Sequence, residues 1–333
     1  MKFWILLLFT SFFLHLNAQD SLKSYAKFDT NYVWYTDIGF SSGPASIKAN
    51  YLKSQNKIKF KNNANIIFGV GFSYKWFSLR LGISMGKLRP VSKFGDTQYY
   101  DLGFDFSHKK MFWDFDLHWY AGYAIKNAYK WNDSITPLQA NLIRNDINTA
   151  SLSINNWYFF NKNFRMQAFR GKTAHYIKDE KSFYLKSTMN VHGIGTNQDL
   201  IPFELQDSTI DMVGSNFYTA FDFGVIPGYA YVKRINDLQF GGMLGAGAVI
   251  QSKFYENNDQ TRGFLGLLPR FDLKLIGGYN TERHFILFVS DFDFKSIRFK
   301  ELVYRQVFYN IKLVAGIRLH RKAKKVVHSG KTK

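Results

Sequence analysis

The sequence predicts an all-β chain that forms a transmembrane, outer-membrane-type antiparallel up-and-down β-barrel of about 12–14 strands. Apolar and polar residues alternate with period two along most of the chain, which is the strand pattern. Many alternating segments run nine to twelve residues or more. Soluble strands usually have about five to six residues, whereas a tilted strand that crosses a bilayer needs about nine to eleven. Short turns also alternate with long polar loops, as in transmembrane barrels.

Five segments show the alternation most clearly: 66–74, 77–85, 99–107, 112–123 and 307–317. In 77–85, for example, Leu79 and Leu81 oppose Ser78 and Arg80. Seven further segments are predicted as strands: 148–160, 164–172, 182–193, 217–233, 238–252, 269–279 and 284–292. The alternation of short turns and long loops is interrupted between 173 and 216. One more short strand near 201–205 would restore it.

The connections fall into two groups. Short turns are predicted at 75–76, 108–110, 161–163, 234–237 and 280–283, and long loops at 52–64, 86–97, 124–147, 253–267 and 294–302. Both chain ends then lie on the short-turn, periplasmic side. Barrels of this length often form one domain, so we predict a single barrel domain over 19–320.

The first eighteen residues read as a secretory signal peptide. Lys2 is followed by the apolar stretch Phe3–Leu16 and the small-residue site Leu16-Asn17-Ala18. An uncleaved membrane anchor is the alternative for 1–18. Export makes the cell outer membrane the expected location, with the periplasm or secretion as alternatives. The chain contains no cysteine, which excludes a lipid-anchored lipoprotein, a zinc–thiolate site and a catalytic thiol.

Alternation alone does not separate a membrane barrel from a soluble one, whose apolar face would point inward. Strand length favours the membrane form, and so do aromatic residues near strand ends, where an interfacial girdle would lie. These are Tyr74, Trp76, Tyr99, Tyr100, Trp119, Tyr120 and Tyr123. After 1–18 no apolar run reaches the 18 residues of a membrane helix.

The net charge of +19 raises the question of an anionic partner. Nucleic acid is disfavoured, because the 34 phenylalanines are spread along the chain instead of forming a stacking platform among basic residues. Export disfavours it further. We predict outer-membrane lipid as a partner, and no nucleic acid.

Candidate site residues lie on two neighbouring strands. Asp114, Asp116 and His118 share one face, with side chains roughly 7 Å apart in sequence order, and Asp101 and Asp105 could join them. Such a group could hold a cation, or a carboxylate could orient the histidine as a general base. A hydrated lumen wall is the favoured interpretation, so no catalytic residue, metal or cofactor is assigned.

Five basic residues are predicted to face the lumen: Lys75, Arg80, Lys274, Lys312 and Arg318. Alone they would favour anions. With Asp101 and Asp105 opposite them, a salt-bridged wall is the favoured interpretation.

The tail 321–333 carries six Lys or Arg residues and no acid. It cannot build a core, and its charges repel one another. Arg321, Lys322, Lys324 and Lys325 could contact anionic headgroups, peptidoglycan or an envelope partner, although a solvated tail is the simpler interpretation.

Four motifs in order resemble one protein family. They are Phe28-Asp29-Thr30-Asn31-Tyr32-Val33, Gly71-Phe72-Ser73-Tyr74-Lys75-Trp76, Pro227-Gly228-Tyr229-Ala230-Tyr231 and Gly278-Tyr279-Asn280-Thr281-Glu282-Arg283. Together with the signal ending Asn-Ala-Gln, they resemble a family of Bacteroidota exported proteins, domain of unknown function 4421. The resemblance implies an outer-membrane-type barrel and no established activity. The last strand departs from the usual aromatic ending, because it continues into Arg318-Leu319-His320.

The preferred functional hypothesis is a non-enzymatic barrel, acting as a narrow channel or as a structural or accessory envelope component. One alternative is an outer-membrane enzyme that acts on lipid or lipopolysaccharide through His118 and Asp116. Another is an accessory barrel of a secretion or gliding apparatus.

Overall fold

A computed structural model describes residues 25–28, 32–52, 57–257 and 260–319. The predicted signal peptide 1–18 and the basic tail with Arg321, Lys322, Lys324 and Lys325 lie outside these residues. No helix in the described segments is long and apolar enough to span a membrane.

Sixteen strands are present in the described part of the chain. They are β1 (Ala26–Phe28), β2 (Tyr32–Ser42), β3 (Ala45–Ala49), β4 (Ile58–Lys61), β5 (Asn65–Tyr74), β6 (Phe77–Lys87), β7 (Gln98–His108), β8 (Met111–Ile125), β9 (Leu142–Phe159), β10 (Ala174–Tyr176), β11 (Glu180–Gly195), β12 (Phe217–Ile235), β13 (Leu238–Asn257), β14 (Gln260–Asn280), β15 (His284–Arg298) and β16 (Leu302–Arg318). Short helices are α1 (Val91–Phe94) and α2 (Met166–Arg170), and 3-10 turns cover Ala128–Lys130, Phe203–Leu205 and Asp211–Gly214.

Twelve of these strands form a closed ring: β2, β5 to β9 and β11 to β16. Each pairs antiparallel with its neighbours, and β16 closes the ring by pairing with both β15 and β2. The predicted up-and-down barrel is therefore confirmed. Closure matters because a lipid-spanning sheet must satisfy all its backbone hydrogen bonds internally.

The remaining wall strands, β3 and β4, form a hairpin between β2 and β5. β2 pairs only with the Tyr309–Arg318 part of β16, and beyond it β3 pairs with β16 over Leu302–Gln306. β4 then pairs with β8, at Phe60 opposite Ile125. The hairpin thus bridges β16 to β8 above the ends of β2, β5, β6 and β7. We call this end, with the 88–97, 126–141 and 196–216 connections, the long-loop end.

The outer face of the barrel is apolar. On β6, Leu81, Ile83 and Met85 are 55%, 65% and 67% exposed, whereas Ser78 on the opposite face is buried. The same holds around the ring, with exposed outward residues such as Leu244 and Phe288. A soluble barrel would have the reverse arrangement. This surface matches the hydrocarbon core of a bilayer.

Two apolar cores lie inside the barrel, one at each end. At the long-loop end, the β3–β4 hairpin and the 196–216 connection pack around buried residues including Ile47, Phe60, Tyr123, Leu200 and Tyr304. At the opposite, short-turn end, the connection 160–179 between β9 and β11 folds into the barrel. We call this segment the plug. Its buried Phe164, Met166, Phe169 and Tyr176 pack against Val33, Trp157 and Phe285 of the wall. β1 pairs with β10 of the plug.

Two predicted strands are wrong. Segment 164–172 contains helix α2, which ends at Arg170 and is capped by Gly171 with φ of 70°. A helical turn buries Met166, Ala168 and Phe169 together in the barrel end, a packing that tertiary context sets and periodicity does not show. Segment 201–205 contains the 3-10 turn Phe203–Leu205.

Two predicted long loops are also wrong, and five strands were not predicted. β13 continues to Asn257, which pairs with Gln260 of β14, so 253–267 is mainly strand. β15 likewise continues to Arg298 and β16 begins at Leu302. These polar extensions still satisfy their backbone groups by pairing with each other. The unpredicted strands are β1, β2, β3, β4 and β10, and β4 lies inside the predicted loop 52–64.

Candidate functional site

The polar lumen between the two apolar cores is the candidate site. It contains a cavity of about 170 Å³ whose lining includes fourteen Asp, Arg and Lys side chains. The principal charged lining residues are Asp37, Arg80, Asp101, Asp105, Asp114, Asp116, Arg170, Lys172, Lys186, Asp272, Lys274, Asp291, Asp293 and Lys312. Buried charges are tolerated when paired, so their contacts decide what the cavity can do.

One chain of contacts runs along the wall from β2 to β8. Arg80 makes a bidentate pair with Asp37, with Nε–Oδ2 and Nη2–Oδ1 distances of 2.7 Å. Its Nη1 also donates to Asp101 Oδ2 at 2.7 Å. The other oxygen of Asp101 lies 3.2 Å from His118 Nδ1. Arg80 and His118 therefore both depend on Asp101.

Glycines on β5 make this chain possible. A Cβ atom on Gly69 would lie 2.3 Å from the Asp37 carboxylate, and one on Gly71 would lie 1.9 Å from the Tyr35 ring. Both side chains of β2 thus cross directly over β5 to reach β6. The absence of a side chain at Gly69 is what lets Asp37 meet Arg80.

A second group of contacts surrounds Asp272 on β14. Lys186 lies 2.8 Å from its Oδ1, and the Tyr184 hydroxyl and Trp157 Nε1 donate to its Oδ2 at 3.1 and 3.3 Å. Tyr184 reaches it by crossing Gly228 of β12. Three strands, β9, β11 and β14, are joined at this carboxylate.

A third group lies nearer the long-loop end. Arg270 contacts Asp222 at 3.2 Å and Asp293 at 3.3 Å, and Asp222 also contacts His192 Nε2 at 3.0 Å. Lys295, itself 3.3 Å from Asp293, reaches across the lumen to Ser151 and Ser153 of β9. These side chains fill the lumen at this level.

The predicted site residues are only partly brought together. Asp114, Asp116 and His118 all line the cavity, together with Asp101 and Asp105. The partner of His118 is Asp101, across the β7–β8 pair, and not Asp116 on its own strand. This follows from register, because facing residues on paired strands lie closer than alternate residues along one strand.

The five basic residues that were predicted to face the lumen are also only partly brought together. Arg80, Lys274 and Lys312 line the cavity, with Lys274 2.9 Å from Asp291. Lys75 instead occupies the exposed turn between β5 and β6 with φ of 50°, because β5 ends at Tyr74. Arg318 lies at the end of β16, where it donates to the carbonyl oxygens of Lys172 and Gly171 in the plug.

Sequence reasoning missed several members of this network. Asp272 and Asp291 lie in predicted strands, where the alternation already pointed to one face, and could have been named. Asp37 lies on the unpredicted β2. Arg170 could not be found, since it reaches Asp105 at 2.5 Å only through the helix of the plug.

The lumen offers no evident ion-binding centre. Within the described segments, no group of three or more His, Asp or Glu residues could hold a metal ion. Asp114 and Asp116 face the cavity without an ion pair among the described residues, and the cations near Asp114 are Lys274 and Arg170. The arrangement is mainly a paired charge network with a small hydrated space.

Together, the apolar exterior, the twelve-stranded ring and the charged interior define an outer-membrane-type β-barrel. The family model "Domain of unknown function (DUF4421)" matches residues 19–318, and the chain belongs to this family. No curated protein sequence matches the chain.

Three solved structures with a similar fold are distant in sequence. The outer membrane protease OmpT from Escherichia coli is 8% identical with a TM-score of 0.38, over 88% of this chain and 98% of that one. An outer membrane channel from Pseudomonas putida F1 is 8% identical with a TM-score of 0.32, over 91% and 100%. The toluene transporter TodX of P. putida is 8% identical with a TM-score of 0.29, over 88% and 91%.

Proposed function

We propose that this protein is a non-enzymatic barrel of the cell outer membrane whose resting state is closed, and that it serves as a structural or accessory component of the envelope. The observation that carries the proposal is the apolar core that packs inside the barrel at each end of the polar lumen, and we infer that these two cores seal it. An open pore would need a continuous polar path between the two ends.

The seal at the short-turn end is the plug, and specific contacts hold it. Arg170 pairs with Asp105, and its guanidinium lies 5.2 Å from the Phe112 ring centroid. Gln239 of β13 donates to the carbonyl oxygens of Ala168 and Phe169 at 2.9 and 3.0 Å. These contacts tie the plug to opposite sides of the barrel wall.

The seal at the long-loop end is the β3–β4 hairpin with the 196–216 connection. Ile47, Phe60 and Leu200 have no exposed surface, and Tyr123 donates to the carbonyl oxygen of Gly43 at 3.2 Å. An exported solute would have to displace this core as well as the plug.

A gated narrow channel is the second candidate, and the charged lumen favours it. A barrel that serves only as structure can fill its interior with apolar side chains, which is often at least as stable as buried ion pairs. Charges along the interior would instead serve a path that becomes hydrated when the plug moves.

Conductance across planar bilayers separates the two candidates. We expect the wild-type protein to be silent, and continuous conductance of the wild type would contradict a closed resting state. A double variant, Arg170→Ala with Gln239→Ala, removes two of the polar anchors of the plug. Its conductance would establish a gated channel, whereas silence would support the structural role.

The matched control is Arg262→Ala, which removes an exposed ion pair with Asp211 at the other end of the barrel. Exposed pairs contribute about 0–1 kcal/mol, so this variant should behave as wild type. Heat-modifiable migration in detergent gels shows that each variant is folded.

The enzymatic alternative has less support. His118 lies inside the sealed lumen, where a lipid or lipopolysaccharide molecule has no open route to it. Unchanged envelope lipid composition with His118→Ala would remove that alternative. An accessory role in a secretion or gliding apparatus, with an envelope partner held through Arg321, Lys322, Lys324 and Lys325, is a more specific form of the structural proposal.

A further inference from the structure

A cluster of basic side chains lies on the outside of the barrel at the long-loop end. It consists of Lys57, Lys59, Lys61, Arg89, Lys126 and Arg305, and we call it the basic patch. None of the six forms an ion pair with any residue that the structure describes. Most of the buried or half-buried Lys and Arg side chains elsewhere in the described residues form ion pairs with carboxylates. The basic patch differs from them in having no carboxylate partner.

Strand register places two of these residues, Arg305 and Lys59, in one outward row with Ser46 between them. Arg305 on β16 faces Ser46 on β3, and Ser46 faces Lys59 on β4. The neighbours of Arg305 and Lys59 along their own strands, such as Tyr304 and Phe60, are buried, so the two cations point away from the core. With about 4.8 Å between strands, their Cα atoms lie about 10 Å apart.

The other members extend the row. The Lys126 amide donates to the Lys59 carbonyl oxygen at 2.9 Å, and Lys61 follows two residues later on β4. Arg89 joins them because its backbone is held by Asn63, whose amide side chain donates to the Arg89 carbonyl oxygen at 2.9 Å.

The charges are close enough to affect one another. Partial burial and the charges of Arg305 and Lys59 lower the pKa of Lys57. Partial burial and the charges of Arg89, Lys126 and Lys59 lower the pKa of Lys61. Unbalanced like charges destabilise the folded barrel, and an external anion would offset this repulsion.

The patch borders the apolar band of the barrel. Outward residues of β16 run from Ile317 to Arg305, about 28 Å along the barrel axis at a rise of about 3.3 Å per residue and a tilt of about 45°. The apolar band of such barrels is about 25 Å tall, so Arg305 lies just beyond it. The patch is therefore at headgroup level.

Exposed apolar residues lie beside the patch. Ile83 and Met85 face outward near the end of β6, and Leu88 and Val91 flank Arg89 with about half of their surfaces exposed. A free polyanion would gain nothing from these side chains. A lipid would contact the patch through its phosphate and the apolar residues through its acyl chains.

We propose that the basic patch binds the phosphate group of a membrane lipid, with the acyl chains of that lipid lying against the β6 surface. This inference uses the bilayer placement proposed above but not the closed state, and its test in detergent is independent of whether the barrel conducts.

The test is native mass spectrometry of the full-length barrel in nonionic detergent, with dioctanoyl phosphatidic acid as the probe. The patch variant is Lys59→Gln, Lys61→Gln and Lys126→Gln together. We expect it to bind the probe roughly a hundredfold more weakly than wild type, from the loss of three charges near a lipid phosphate. The control is Lys109→Gln, Lys162→Gln and Lys178→Gln at the short-turn end, which should bind as wild type.

Two further probes identify the source of the phosphate. Dioctanoyl glycerol, which has no phosphate, and inorganic phosphate, which has no acyl chains, should both bind far more weakly than phosphatidic acid. Equal binding by the patch and control variants would overturn the proposal. The proposal would also be overturned if dioctanoyl glycerol or inorganic phosphate bound as tightly as phosphatidic acid.

Discussion

At the scale of single residues, the lumen depends on where side chains are missing as much as on where charges are present. Gly69 is the clearest case, because Asp37 occupies the space that its side chain would take. Asp37 can then form its bidentate pair with Arg80.

Gly69→Ala should therefore destabilise the barrel. The new methyl group displaces the Asp37 carboxylate and leaves Arg80 with a weakened partner, and breaking a buried ion pair costs about 3–5 kcal/mol. We expect the free energy of unfolding in urea, followed by tryptophan fluorescence, to fall by an amount of this order.

Gly86→Ala is the matched control, since a Cβ atom there has no neighbour within 4 Å. Its free energy of unfolding should change little. A Gly69→Ala variant as stable as Gly86→Ala would show that the Asp37–Arg80 pair does not depend on the open space over β5.

At the scale of elements, the plug is the feature that sequence reasoning could not supply. The outward and inward faces of β6 and β8 follow from alternation, because lipid and lumen impose opposite polarity on alternate residues. Helix α2 is governed by tertiary packing of Met166 and Phe169 inside the ring. The His118–Asp101 contact likewise depends on register between strands, which one sequence does not reveal.

The plug should also respond to acid through His175 on β10. Burial and the charges of Arg318, Arg234 and Lys27 lower the pKa of His175 to about 3, with Glu282 opposing them. In the released plug the imidazole would titrate near its ordinary value of about 6.5. The docked plug binds fewer protons, so docking weakens as the pH falls from about 6.5 towards 3.

Hydrogen exchange in the plug measures this effect. After correction for intrinsic rates, we expect the backbone amides of β10 to exchange faster at pH 4.5 than at pH 7.5. His175→Gln should remove the difference, whereas His284→Gln, at an exposed histidine of the same end, should keep it. Identical pH dependence in both variants would rule out His175 as the cause.

At the scale of the whole molecule, the barrel combines an apolar exterior with a charged interior that lies between two apolar cores. The exterior follows from strand length and alternation, and these could be predicted. The closure depends on the β3–β4 hairpin and the plug, both of which lie in connections whose course the strand pattern does not determine.

Cysteine accessibility tests the closed interior most directly, because the protein has no native cysteine. Asn310→Cys places one thiol in the lumenal cavity, and Ser134→Cys places one on an exposed loop. In reconstituted vesicles treated with a membrane-impermeant methanethiosulfonate reagent, the loop thiol should react rapidly and the lumenal thiol at least a hundredfold more slowly. Equal reaction rates at the two positions would contradict a barrel sealed at both ends.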